Sequence, residues 1–233
     1  MNIQKNSQVQ KLWGSMCAAI AQVAVGHPFD TVKTCLQNKS TMQLTSPRFF
    51  YRGWKYPLIS ATFNNIMGFG AFNEIRNLTR TSDLPGGNVL LAGCVAGAAV
   101  TPTVFIFDGC KILRQVGLQA SPFIMLQRRG FYATLARECI GMSAYFSTYT
   151  FAREKCNWNP FIAGSFAGFW NWTLSYPIDV IRSRQVAGNV QVLDALRPGH
   201  LWRGYPICIC RGVLVNGAIF WTYEHSQALL NNV

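Results

Sequence analysis

Six apolar stretches, each interrupted by a few polar residues, follow one another along the chain. They lie at about 9–37, 55–77, 89–115, 132–153, 161–185 and 205–230. Each approaches or exceeds the roughly 20 residues that a helix needs to cross a hydrocarbon core. The polar residues on one side indicate helices that line a shared aqueous path rather than isolated anchors. The pattern predicts an all-α membrane protein with six transmembrane helices.

A short charged motif recurs at the end of each odd-numbered stretch. In each copy a base follows an acid by three residues, as in Asp30/Lys33, Asp108/Lys111 and Asp179/Arg182. The acids are 78 and then 71 residues apart, which leaves room for two membrane-length helices in each interval. We therefore predict three repeats of two helices, at 1–80, 81–156 and 157–233, related by pseudo-threefold symmetry.

Prolines near these motifs predict helix kinks, because proline removes a backbone hydrogen bond and clashes with the preceding turn. Pro28 and Pro177 each precede the acid by two residues. In the second repeat Ile106 occupies that position and Pro102 lies about one turn earlier. The kink of the second repeat is therefore expected to be displaced.

The odd-numbered stretches also carry small residues four positions apart, a spacing that lets helix backbones approach closely in lipid. The pairs are Gly14/Ala18, Gly93/Gly97 and Gly164/Gly168. Repetition of the spacing in all three repeats predicts close helix packing at each of them.

Each even-numbered stretch is preceded by an aromatic or basic residue, a base and a glycine. These are Tyr51-Arg52-Gly53, Arg128-Arg129-Gly130 and Trp202-Arg203-Gly204. A cation beside free backbone N–H groups can hold a lipid phosphate, so we expect an anionic, cardiolipin-like headgroup here. A simple interfacial anchor is the second interpretation of these segments.

Composition narrows the functional class. Only 13% of the 233 residues are charged, against about 25% in soluble domains. The net charge is +12, but the bases flank apolar segments, which favours anionic lipid as a partner and argues against nucleic acid. We find no cysteine or histidine spacing typical of a metal site, no cofactor motif and no catalytic constellation. The protein is not expected to be an enzyme.

Three equivalent positions in the even-numbered stretches are candidates for substrate binding. Seven residues beyond each repeat glycine lie Ser60, Arg137 and Arg211, and Glu138 follows Arg137. Charges this deep in a membrane are costly unless they have a function. Arginines can bind a carboxylate and Glu138 an ammonium group, so the set favours a zwitterionic substrate. Asn64 and Asn65 can add hydrogen bonds to it or can bond neighbouring helices.

The charged motif with its prolines and the aromatic–base–glycine segments together resemble the mitochondrial carrier family, across essentially the whole chain. The resemblance implies a monomer, multi-pass in the mitochondrial inner membrane, that works by alternating access. It also implies a matrix-side gate, here called the charge ring, formed by three ion pairs between repeats and braced by two glutamines. Its members are Asp30 with Lys111, Asp108 with Arg182 and Asp179 with Lys33, and the braces are Gln37 and Gln115.

The family also places acids and bases on the opposite side of the membrane, where this chain departs from the pattern. The acid is kept only at Glu224, which we expect to pair with Arg76, while Arg153 keeps a base. The resemblance therefore implies a weak gate on that side. Neutralising Glu224 should alter transport less than neutralising Asp30 or Asp179.

An arginine followed by an acid at 137–138 resembles the amino acid and carnitine carriers. The contexts at 26–33 and 137–141 are most similar to the basic amino acid and ornithine carriers, which imply an antiporter of such substrates. Those carriers tend to have an acid where this chain has Asn64, so carnitine or acylcarnitine and neutral amino acids stay open. Trp170 and Trp172 could face a quaternary amine, or they could pack. A nucleotide carrier and a non-transporting membrane scaffold also stay open.

Overall fold

The structure is a computed structural model that describes residues 20–21, 23–38, 50–51, 53–79, 87–212 and 214–215. Within these ranges the chain forms helices joined by turns, and no strand. The long helices are α1 (20–21 and 23–37), α2 (Lys55–Thr79), α3 (Gly87–Gln115), α5 (Phe131–Glu154), α6 (Pro160–Gly188) and α8 (205–212 and 214–215). Two short helices, α4 (Pro122–Leu126) and α7 (Val192–Leu196), follow α3 and α6.

The four central long helices, α2, α3, α5 and α6, have bounds within a few residues of the predicted stretches. Among all the helices that the structure describes, only Val89–Gln115 is long and apolar enough to cross a membrane by length and composition alone. The charged and polar residues carried by the other stretches account for this difference. The division into three repeats stays a prediction.

The helices pack mainly against their neighbours in chain order. Helix α5 lies between α3 and α6, α2 packs on α3, and α3 touches α6 only lightly. Helix α1 is bonded to α3 through Lys111 and to α6 through Asp179. Helix α8 reaches α1, since Arg211 contacts Asp30. The polar residues of the repeat motifs are thereby brought toward one region between α1, α3 and α6.

Small residues bring α3 and α5 into close contact. A Cβ atom added at Gly97 would lie 2.5 Å from the carbonyl oxygen of Glu138, and one at Gly93 would lie 2.6 Å from the Cα of Ser143. At Gly164 and Gly168 an added Cβ atom would meet nothing within 4 Å among the described residues, so the close packing predicted there is not seen in this part of the chain. The pair Gly14/Ala18 lies outside the described residues.

The three repeat glycines share a backbone conformation that only glycine adopts easily. Their φ angles are +86° at Gly53, +117° at Gly130 and +89° at Gly204, in the left-handed region. Added Cβ atoms would meet Arg114 near the end of α3, Val186 near the end of α6 and the hydroxyl group of Tyr176 within α6, at 3.1, 3.1 and 2.9 Å. These contacts fix where α2, α5 and α8 begin.

All three predicted kink prolines lie inside helices. Pro102 is within α3, Pro177 is within α6 and Pro28 is within α1. Hydroxyl groups near two of them bond back to the preceding turn, with Thr101 Oγ1 donating to Gly97 O at 2.7 Å and Ser175 Oγ to Asn171 O at 2.7 Å. Ile106 lies on the continuous helix α3, so Pro102 is the proline of that helix.

Candidate functional site

Asp30, on α1, is held by two bases from two other helices. Lys111 Nζ of α3 lies 2.5 Å from Asp30 Oδ2, and Arg211 Nε of α8 lies 2.7 Å from Asp30 Oδ1. The first contact is the pair implied by the family resemblance. The second joins a predicted substrate-binding arginine directly to the charge ring, which sequence reasoning did not foresee.

Asp179, on α6, gathers the largest set of polar partners. Lys33 Nζ of α1 lies 2.6 Å from Asp179 Oδ2, and Gln37 Nε2 donates to the same oxygen at 3.1 Å. Arg137 Nε of α5 and Arg182 Nη1 of α6 lie 3.7 and 3.8 Å from Oδ1. The side chain of Asp179 is only 8% exposed, and a carboxylate this buried is stable only with such partners.

The third implied pair, between Asp108 and Arg182, does not form in the described part of the chain. Arg182 Nε instead donates to Thr134 Oγ1 at 3.0 Å, and Arg182 Nη2 donates to Val104 O at 3.1 Å. These acceptors, with the nearby Asp179, occupy the guanidinium. Asp108 is half-buried.

The two glutamines lie beside the charge ring but bond differently. Gln37 donates to Asp179, whereas Gln115 Nε2 donates to Thr31 Oγ1 at 3.1 Å. Both side chains are buried. Gln37 therefore braces an acid of the ring, and Gln115 joins α3 to the helix that carries Asp30.

The Arg137–Glu138 step on α5 is buried and internally paired. Arg137 Nη1 donates to Glu138 Oε1, and the two side chains are 13% and 7% exposed. Arg137 also lies over the ring of Trp172, with its Cζ atom 5.0 Å from the ring centroid. Lys33 Nζ lies 4.4 Å from the same centroid, so the indole already faces two cations of the protein. Trp170, by contrast, is exposed and packs against Phe166 and Phe169.

The other predicted substrate positions are only partly described. Ser60, on α2, is buried. The backbone of Asn64 and Asn65 belongs to α2, but their side chains lie outside what the structure describes.

At the predicted gate on the opposite side of the membrane, Arg76 and Arg153 each have a partner that was not predicted. Arg76 Nη2 pairs with Glu154 Oε1 at 2.7 Å, and both side chains are well exposed. Arg153 Nη1 donates to Trp158 O at 2.6 Å. Glu224 lies outside the described residues, so its pairing with Arg76 stays a prediction. The sequence offered one signal for Glu154, an acid in the last turn of α5 beside Arg153.

The basic residues predicted to meet lipid are exposed where the structure describes them. Arg129 and Arg203 are exposed, and the glycines that follow them, Gly130 and Gly204, are buried. The backbone N–H of Arg129 donates to Asn189 Oδ1 at 3.0 Å. Arg52 lies outside the described residues, while Gly53, which follows it, is half-buried.

Arg184 is a buried base that sequence reasoning missed. Its guanidinium donates to three backbone carbonyls, at Gln37 O (3.1 Å), Ala195 O (2.9 Å) and Gly199 O (2.9 Å). It thereby joins α6 to the end of α1, to α7 and to the turn after α7. The sequence signal was a second base two residues after Arg182, but nothing in the sequence shows that its acceptors are carbonyl groups.

These features define an all-α protein whose long helices enclose buried, opposite charges drawn from separate helices. Comparison with known proteins agrees with this class. The family described as "Mitochondrial carrier protein" matches residues 4–83 and 153–233. The stretch between these matches contains the second charged motif, where isoleucine replaces the proline. The chain belongs to the mitochondrial carrier family.

Similar proteins cover most of the chain. The mitochondrial arginine transporter BAC2 of Arabidopsis thaliana is 27% identical, over 91% of this chain and 88% of its own. The mitochondrial basic amino acids transporter of Homo sapiens is 30% identical, over 92% and 82%, and that of Bos taurus is 29% identical, over 88% and 87%. Family membership makes the chain a multi-pass protein of the mitochondrial inner membrane, in a family of small-molecule transporters rather than enzymes.

Proposed function

We propose that this protein is a secondary transporter that exchanges zwitterionic amino acids, of the basic amino acid and ornithine type, by alternating access. The observation that carries the proposal is the buried Arg137–Glu138 pair in the first third of α5. It offers a cation for a carboxylate and an anion for an ammonium group within one helical step. The names of the similar proteins support the same substrate class.

The proposed cycle couples these residues to the charge ring. Arg211 contacts Asp30, and Arg137 lies near Asp179. A substrate carboxylate that engages either arginine competes with an acid of the ring for it. Asp30 would lose a partner when Arg211 is engaged, and Asp179 when Arg137 is engaged, and either loss weakens the closed arrangement on the matrix side. Transport of this kind needs no bound cofactor and no covalent chemistry, so we propose that the protein is not an enzyme.

The proposal also covers lipid binding, oligomeric state and nucleic acid. We expect anionic, cardiolipin-like lipid at the exposed Arg129 and Arg203 beside the buried Gly130 and Gly204, and at Arg52 with Gly53. Exposed cations next to buried helix-starting glycines leave room for a phosphate at the helix N-terminus. We expect a monomer that binds no nucleic acid.

The test is uptake of labelled solutes by liposomes that contain the purified protein and are preloaded with the same solute. Arginine, lysine and ornithine should exchange, and Arg137→Ala should reduce this exchange by about tenfold or more because the carboxylate loses a forked donor. Arg197→Ala is the matched control, since Arg197 is 81% exposed and, within the described residues, pairs only with Asp194 on α7.

Two outcomes would contradict the proposal. Exchange of carnitine or ATP without basic amino acids would favour a carnitine or a nucleotide carrier. Stable, folded protein that exchanges none of these solutes would favour a scaffold.

A further inference from the structure

Asp108 lies on the face of α3 that turns toward the other charged helices. Val104 lies one turn before it and accepts a hydrogen bond from Arg182 of α6. Lys111 lies one turn after it and pairs with Asp30 of α1. Residues three and four apart share a helix face, so Asp108 faces the region between α1 and α6. Its side chain is half-buried there.

The nearby bases are committed to other acceptors. Arg182 donates to Thr134 and Val104. Lys111 and Arg211 both form ion pairs with Asp30. Lys33 pairs with Asp179, and Arg137 pairs with Glu138. Among the residues that the structure describes, Asp108 therefore takes part in no ion pair, whereas at the equivalent positions Asp30 has two bases and Asp179 has three.

A carboxylate in a membrane-spanning helix is costly without a cation beside it. Arg182 joins Val104, one turn before Asp108, to Thr134 on α5, three residues before Arg137, and this arrangement brings Asp108 toward the proposed substrate site. The described residues thus leave one acid free next to a site that already offers a cation and an anion to a zwitterion. A substrate with a second positive charge would supply the cation that Asp108 lacks.

We propose that Asp108 is a specificity-determining residue that binds the side-chain cation of a basic amino acid, while Arg137 and Arg211 bind the carboxylate and Glu138 binds the α-ammonium group. This inference rests on the proposed function and deepens it. It assigns to Asp108 on α3 the negative charge for the substrate side chain, which the uncharged Asn64 cannot provide. A charge-assisted contact of this kind discriminates by roughly 10- to 100-fold between a charged side chain and an uncharged one of similar shape.

The experiment compares lysine with norleucine, its uncharged counterpart, by thermal-shift titration of the purified, lipid-reconstituted protein, because a ligand of the folded state raises its apparent stability. The wild type should bind lysine about 10- to 100-fold more tightly than norleucine. Asp108→Asn should weaken lysine to about the level of norleucine and leave norleucine unchanged. The control Asp194→Asn removes the same charge from α7 and should preserve the lysine preference.

A second variant covers the case in which Asp108→Asn does not fold. Asp108→Glu keeps the charge and extends it by one methylene, so it should improve binding of the shorter ornithine relative to lysine. An unchanged lysine-to-norleucine ratio in Asp108→Asn, or an unchanged ornithine-to-lysine ratio in Asp108→Glu, would overturn the assignment. Equal binding of lysine and norleucine by the wild type would overturn it as well, while leaving amino acid transport intact. Absence of any stabilisation by either amino acid would instead contradict the proposed function itself.

Discussion

The contact between α1 and α6 and the contact between α3 and α6 are built from equivalent repeat motifs, yet they differ in how they are held. Between α1 and α6, Lys33 pairs with Asp179 at 2.6 Å, Asn38 donates to Ser183 at 2.7 Å, and Arg184 donates to Gln37 O at 3.1 Å. Between α3 and α6, Val186 packs with Phe105 and Leu113, and the one hydrogen bond between described residues runs from Arg182 to Val104 O. The same spacing of acid and base therefore gives a strongly bonded contact in one place and a weakly bonded one in another.

This difference shows that a repeated motif fixes where charges stand but not which partners they take. Arg182 has a hydroxyl acceptor at Thr134 and a carbonyl acceptor at Val104 within reach. Lys33 instead reaches Asp179 directly. The contact between α1 and α6 is therefore the more strongly bonded side of the predicted matrix-side gate, and the contact between α3 and α6 is its more weakly bonded side.

We expect the largest loss of stability and transport when the charge of Asp179 is removed. Asp179→Asn leaves Lys33, Arg137 and Arg182 without their shared acid, and breaking a buried ion pair costs about 3–5 kcal/mol. The variant should unfold at a clearly lower temperature than the wild type and lose most transport. Asp108→Asn, the equivalent change in the weakly bonded contact, should alter the free energy of unfolding by less than about 1 kcal/mol. Equal destabilisation of the two variants would show that the contacts do not differ as described.

We expect the next largest loss of stability when Arg184 is replaced. Arg184→Met keeps much of the side-chain volume but leaves three carbonyls without their donor, and each such loss costs roughly 1 kcal/mol or more. Unfolding monitored by thiol reactivity should begin at a lower temperature than in the control Arg197→Met, which replaces an exposed residue in a surface pair with Asp194. Arg184→Lys should recover only part of the loss, since a single ammonium group cannot reproduce the planar fork. Full recovery by lysine would mean that charge alone matters there.

A smaller loss of stability is expected from a change at Thr134, which tests the weakly bonded contact between α3 and α6. Thr134→Val removes the hydroxyl that accepts from Arg182 Nε at 3.0 Å and should cost about 1 kcal/mol in stability. It also frees the guanidinium to approach Asp108. A double-mutant cycle between Asp108→Asn and Arg182→Gln should give little coupling in the wild type and a measurable coupling energy in the Thr134→Val background. Strong coupling already present in the wild type would contradict the described geometry.

The smallest effect is expected at the exposed pair of Arg76 and Glu154. The side chains are 41% and 57% exposed, and pairs of this kind contribute about 0–1 kcal/mol. Glu154→Gln should leave both the unfolding temperature and the exchange rate within error of the wild type. A large loss of exchange would show that this pair closes the opposite side of the carrier and is more than a surface contact.

The sequence by itself determined the family, the helix positions and the residues that gather near the charge ring. Apolar stretches of membrane length predict helices wherever they occur, and three copies of one motif place their acids at equivalent helix ends. The glycines at 53, 130 and 204 were identifiable because they precede each even-numbered stretch, and their positive φ angles give the physical reason for glycine there.

Only the tertiary structure decided which acceptor each buried basic side chain contacts. The commitment of Arg182 to Thr134 and Val104, the contact of Arg211 with Asp30 and the three carbonyl bonds of Arg184 all join residues far apart in the chain. A long, flexible base can reach several acceptors, and helix packing selects among them by distances of a few ångströms. Residue spacing carries no information at that scale across helices, so the open position of Asp108 emerged only when the helices were assembled.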